Sequence, residues 1–187
     1  MLCVALPMRR LSPRFVLTLL GAVVFGCSSA RAATTLTSVG DASIVHDEAA
    51  GTWTMNVGAT SLTLALDAGR DFAIVSLTTP SGVAWNVGAS PDTVLRVGGQ
   101  TLPFGRRSAG FALRTVVPTA NGDRLQLDAT FDLASAGLQL TRHYAIAAGS
   151  PAFEAWTTYK PRANAKAIAD LDALQLTVPA EIGRAHV

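Results

Sequence analysis

The stretch LQLTRHYAIAAGSPAFEAWTTYK, residues 138–160, sets Arg142, His143 and Tyr144 side by side. Beyond a Gly-Ser-Pro turn it adds Glu154 and Trp156. These side chains suit three roles: acid–base chemistry, sugar recognition, or a strand pair whose polar groups satisfy one another. Acid–base catalysis needs two groups converging on one reacting atom. His46 and His143 are the only histidines ahead of the last seven residues, and neither has a sequence-local partner. No closely spaced His pair exists, and both cysteines, Cys3 and Cys27, lie near the N-terminus, so no zinc motif forms. There is no Gly-x-Ser-x-Gly elbow. The Gly-rich RVGGQTLPFG (96–105) lacks a phosphate-binding lysine. These residues therefore predict no catalytic group, no metal and no cofactor, and His143 reads as a strand residue.

Two carboxylate pairs, Asp128 with Asp132 and Asp170 with Asp172, each share one strand face. Glycosidases need carboxyls about 5–10 Å apart, but solvated strands and turns carry such pairs routinely. Aromatics beside polar donors offer a sugar site instead. Trp85 and Asn86 lie in GVAWNVG, and Arg106 and Arg107 in PFGRRSAG. These four are the candidate substrate-binding residues. In the bland reading Trp85 fills the core, the arginines sit on a solvated loop, and Trp53 and Trp156 are strand residues.

The elements that must position these groups are strands. SLTLALDAG (61–69) alternates Leu62, Leu64 and Leu66 with Ser61, Thr63 and Ala65, the period of a half-buried strand. DTVLRVGGQTLPF (92–104) reads as strand, Gly-Gly turn, strand. ANGD (120–123) joins FALRTVVPT to RLQLDATFDL by an Asn-Gly hairpin signal, and another turn falls at Ser135 to Gly137. KPRANAKAIAD (160–170) is the one segment suited to a linker or short helix. Turns every ten or so residues predict an all-β fold: a large antiparallel β-sandwich of roughly ten to twelve strands. Centring the hairpin of residues 138–160 on Gly149 pairs Arg142 with Trp156 and Tyr144 with Glu154. It turns His143 to the other face, across from Ala155. A stack of Arg142 on Trp156 is the result expected.

The chain opens with three arginines in MRRLSPR, then the apolar FVLTLLGAVVFGC, then ARA at 30–32. That is the layout of a secretory leader, cleaved after Ala32. An uncleaved anchor, or lipidation at Cys27, is the alternative. Residues 1–32 hold four of the fifteen basic residues and none of the thirteen acids, so the remainder carries a net charge of −2. The basic balance belongs to the leader, and no nucleic-acid footprint remains. The expected location is periplasmic or secreted, with membrane contact only through the leader. Residues 33–180 form the expected sandwich domain. EIGRAHV, residues 181–187, has no apolar period and reads as a non-native read-through tail, which makes the chain the front of a longer protein.

GTWTMNVGATSLTLALDAGRDFAIVSLTTPSGVAW (51–85) and TRHYAIAAGSPAFEAWTTY (141–159) together resemble the N-terminal domain of melibiase-type α-galactosidases, of the glycoside hydrolase family 36 kind. The likeness spans roughly residues 43–178. It implies a β-supersandwich of galactose mutarotase-like form, ahead of a catalytic (β/α)₈ barrel that carries the nucleophile and the acid/base. No barrel motif occurs here, so no catalytic residue carries over. The partners implied are a galactoside or plant polysaccharide and the missing barrel, with oligomerisation possible. A stand-alone carbohydrate-binding module and a purely structural secreted sandwich are the competing readings. A mutarotase would need two histidines and a carboxylate in one pocket, which the register above disfavours by setting His143 and Glu154 on opposite faces.

Overall fold

A computed structural model describes residues 33–81, 84–85 and 91–171. The leader, Asn86, the side chain of Trp85, those of Asp170 and Asp172, and residues 181–187 lie outside what is described. Among the described residues thirteen strands follow one another: β1 Thr34–Val39, β2 Ala42–Asp47, β3 Thr52–Val57, β4 Thr60–Leu66, β5 Phe72–Thr78, β6 Ala84–Trp85, β7 Val94–Val97, β8 Gln100–Pro103, β9 Phe111–Asn121, β10 Arg124–Leu133, β11 Leu138–Ala147, β12 Ser150–Pro161 and β13 Ile168–Leu171. Short 3-10 turns at Arg107–Ala109 and Ala134–Ala136 are the only helical pieces among the described residues. KPRANAKAIAD is the end of β12, a loop and the start of β13, with no helix.

The strands form three antiparallel sheets. β1 to β6 make a six-stranded meander, β12-β11-β10-β9 a four-stranded one, and β13-β7-β8 a third. The architecture is an all-β sandwich, as alternation predicts. Leu62 and Leu64 point inward from β4 while Ser61 and Thr63 stay half-exposed. On β10, Leu125, Leu127, Ala129 and Phe131 do the same. One core gathers side chains from all three sheets, including Ile44, Met55, Leu95, Leu127 and Leu140.

A phenylalanine cluster ties the layers together. Phe131 of β10 meets Phe72 of β5 at 5.7 Å and Phe104, just after β8, at 5.0 Å between ring centroids. Phe104 also meets Phe111 of β9 at 4.9 Å. Tilted and edge-on aromatic pairs of this kind add about 0.5–1.5 kcal/mol each beyond their buried area.

Gly105 lets the chain after β8 reach β5. Its φ is +76°, its carbonyl accepts the Phe72 N–H at 3.1 Å, and an added Cβ would collide with the Phe72 carbonyl. A left-handed backbone alone costs an L-residue about 1–2 kcal/mol. Gly105→Ala is therefore expected to lower the unfolding free energy by at least about 2 kcal/mol, read from the urea midpoint at unchanged slope.

Candidate functional site

The hairpin of β11 and β12 departs from the expected register. Ala147 pairs with Ser150, but beyond a shift at Ala145/Ala147 the partners are Ala145–Glu154, Tyr144–Ala155, His143–Trp156 and Arg142–Thr157. β12 spends two more residues than β11 between the paired positions. Pro151 lies there, and a proline has no N–H to give a ladder. A one-residue offset sends every side chain to the other face. The offset turns Glu154 and Trp156 of β12 onto the outer face with His143, while Arg142 and Tyr144 point into the core with the other inward residues of β11. The expected Arg142–Trp156 stack does not form, and the register objection to a site that uses His143 with Glu154 falls with it.

Inside, Arg142 Nε donates to Asp92 Oδ2 at 2.9 Å and the Tyr144 hydroxyl donates to the same oxygen at 2.7 Å. Arg142 also donates to Thr157 Oγ1 at 3.1 Å. The Arg142 side chain is 0% exposed and that of Asp92 1%. Such burial would be prohibitive for a lone charge, and only pairing and hydrogen bonding offset it. Burial first, and the adjacent Asp92 carboxylate second, push the Tyr144 hydroxyl well above its ordinary pKa, against the opposing pull of Arg142. Asp92 precedes β7, so this contact links the third sheet to the hairpin. Nothing in the alternation pattern marks Asp92, which lies in the Ser-Pro-Asp-Thr segment before a strand.

Outside, His143 stacks on Trp156, with ring centroids 4.8 Å apart and planes at 16°. His143 Nδ1 lies 2.7 Å from Asp128 Oδ1, and Nε2 lies 2.7 Å from Thr158 Oγ1. Asp128 also accepts from Gln126 Nε2 at 2.7 Å. The carboxylate can only accept, so Nδ1 carries the proton, and Nε2 of a neutral ring accepts from Thr158. This carboxylate–imidazole–hydroxyl order resembles a hydrolase triad, but triad chemistry also needs donors aimed at a developing oxyanion. Thr158 sits mid-strand, opposite Thr141. The relay's evident effect is to fix the imidazole plane against the indole.

Trp156 stays 37% exposed. Arg124 sits over its ring at 5.6 Å and grips Glu154 with two hydrogen bonds, at 2.9 and 2.6 Å. Those bonds hold the Glu154 carboxyl below its ordinary value and raise Arg124. The pair is solvent-exposed and screened, so it orients the guanidinium more than it stabilises the fold. An exposed indole rimmed by guanidinium, carboxylate, amide and hydroxyl groups can take an apolar ring face and hydrogen-bond its edge. The Asp128–His143 pairing was readable in principle, since the turn at Ser135 to Gly137 sets Leu133 opposite Leu138 and hence Asp128 opposite His143.

The two aspartates of β10 serve separate partners. Asp132, buried, accepts from Arg114 Nε and Arg162 Nη2, both at 2.6 Å. Among the sequence-predicted binding residues, Trp85 pairs with Leu77 in β6, and Asn86 is not described. Arg106 donates to Asp71 Oδ2 at 2.8 Å, and the Arg107 backbone N–H donates to Asp71 Oδ1 at 2.8 Å. Those two bonds lower the Asp71 pKa. Both arginines thus lie against the loop between β4 and β5. His46 lies within β2. No group of three or more His, Cys, Asp or Glu side chains suited to a metal occurs among the described residues. No helix there is long and apolar enough to cross a membrane. Comparison with protein-family models, curated proteins and solved structures returns no match for this chain.

Removing one partner of a buried ion pair costs about 3–5 kcal/mol, whereas replacing both with apolar residues often costs little. Asp92→Leu and Arg142→Met are each expected to destabilise by that amount. The double variant should lose clearly less than the sum in a urea-denaturation cycle.

Proposed function

We propose that this chain is the non-catalytic N-terminal β-sandwich of an exported glycoside hydrolase of the α-galactosidase type, truncated before its catalytic barrel. One observation carries the reading: Arg142 and Tyr144, the most reactive-looking residues of the family-like hairpin, are spent on the buried Asp92. A segment with that commitment builds a scaffold, and the chemistry falls to another domain. The export leader and the resemblance of residues 141–159 give the carbohydrate setting. In this role the protein is periplasmic or secreted, and it meets a galactoside or plant polysaccharide together with its own barrel.

A stand-alone carbohydrate-binding module is the second reading. It is favoured by the exposed Trp156 on a polar sheet face, held by His143 and flanked by Arg124 and Glu154.

Sequencing the 3′ end of the gene from source DNA, followed by expression of both lengths, separates the two. The first reading expects an open frame continuing past Pro179 into alternating strand and helix patterns. It also expects hydrolysis of p-nitrophenyl α-galactopyranoside by the long product and none by residues 33–180. Hydrolysis by residues 33–180 alone, or a native stop directly after Val187, overturns it. In the latter case the second reading expects galactosides to quench tryptophan fluorescence, with the response weakened in Trp156→Ala.

A further inference from the structure

A second aromatic–histidine pair sits at one end of the six-stranded sheet, far along the chain from the hairpin. His46 of β2 faces Trp53 of β3 in register and stacks on it, with centroids 4.6 Å apart and planes at 14°. Trp53 rests on Phe72 of the core behind it, at 5.9 Å. In front lies an open cleft of about 650 Å³ between the β2–β3 and β4–β5 turns. Glu48, Asp67 and Arg70 line it together with the two rings. That volume lies within the usual range for small-ligand sites, about 300–1,000 Å³.

Both walls are built rather than loose. Asp47 Oδ1 accepts the Ala50 N–H at 3.0 Å and shapes the first turn. Gly51, at φ +64°, accepts the Leu66 N–H at 2.9 Å, and a Cβ there would press on the Leu66 carbonyl oxygen. That bond joins the two turns. In the second turn, the Asp67 backbone N–H donates to the Asp71 carbonyl at 3.0 Å, while the Asp67 carboxylate accepts the Asp71 N–H at 2.9 Å. Asp71 is in turn clamped by Arg106 and Arg107. The clamped turn holds Arg70 at φ +67°, a left-handed conformation uncommon for any residue but glycine, asparagine or aspartate. Strain of that kind persists only where the surroundings over-determine it, and it gathers at ligand sites. Here it accompanies a guanidinium at the rim of the cleft.

We infer that this cleft is a binding site for a neutral pyranose, a terminal or single sugar residue. The Trp53–His46 pair offers an aromatic wall for the apolar face of the ring. Glu48 and Asp67 accept from sugar hydroxyls, and Arg70 donates to them. Two carboxylates against one guanidinium repel an anionic ligand, and the aromatic wall is of no use to a small inorganic ion. The inference does not depend on a catalytic domain following the chain, and it uses none of the residues around Trp156.

The test is a nuclear magnetic resonance titration of the exported chain with methyl α-D-galactopyranoside and, separately, methyl β-D-glucopyranoside, following the three tryptophan indole N–H signals. The expected result is a saturable shift of the Trp53 signal with at least one glycoside, while Trp156 stays in place. Arg70→Gly keeps the backbone conformation and removes the guanidinium, so it should melt at the same temperature or higher and bind at least about tenfold more weakly. Glu48→Gln, which keeps the shape, should also weaken binding. No Trp53 shift with either glycoside overturns the inference, as does a shift that survives both substitutions. A shift confined to Trp156 also overturns it, and leaves the proposed carbohydrate setting standing.

Discussion

The buried Asp92 carboxylate is the constraint on which the rest depends. It accepts from Arg142 and Tyr144, the two inward polar side chains of β11, at 2.9 and 2.7 Å. Those residues can face the core only because an acceptor waits there. Had they faced solvent, His143 and Trp156 would have been buried instead. The outward face of the four-stranded sheet is therefore a consequence of one carboxylate arriving from the segment before β7. A buried ion pair is weak support for stability as such, but it is strong against turning β11 over, because Asp92 would then lose both donors.

The same local device recurs at both candidate surfaces. A histidine and a tryptophan face each other across adjacent antiparallel strands and stack nearly parallel, His46 on Trp53 and His143 on Trp156. In each case the histidine covers part of the indole and leaves polar groups around it. On the open sheet, Asp128 and Thr158 fix the imidazole; at the sheet end, two hydrogen-bonded turns frame the pair. One surface is flat and the other concave, so they suit different lengths of ligand. The phenylalanine cluster around Phe131 holds both sheets behind these surfaces at fixed spacing.

Much of this fold was legible in the sequence. Strict alternation marked β4 and β10, Asn-Gly marked the β9–β10 turn, and Gly-Gly marked the β7–β8 turn. These are local signals, and each says which face of a strand is apolar. The hairpin register was not legible, because it turns on an irregularity at Pro151 and on tertiary anchors. The Gly149 N–H donates to Asp41 and the Ala148 N–H to Asp123, partners distant in sequence. Consecutive burial of Tyr144, Ala145 and Ile146 also hides the alternation where it would have fixed the register. Of the candidate site, Trp156 and His143 were visible as residue types, yet their partners Asp128, Thr158 and Arg124 come from a register. The cleft beside Trp53 was invisible for a related reason. Its walls are turns brought together by the pairing of β3 with β4, and Arg70 looks like any loop arginine until its backbone angle is known.

The most direct measurement follows the Tyr144 phenol by carbon-13 nuclear magnetic resonance of tyrosine-labelled protein through alkaline pH, with Tyr159→Phe to separate the two tyrosines. Burial and Asp92 favour the neutral hydroxyl in the folded state. Stability from this group is thus complete below the ordinary value of 10.0 and is lost as pH rises above it. The Tyr144 signal is expected to keep its neutral position past that pH and to change only when the whole chain unfolds. A reversible ionisation near the ordinary value in a still-folded protein would contradict this, because it would put Tyr144 in water and take one donor away from Asp92.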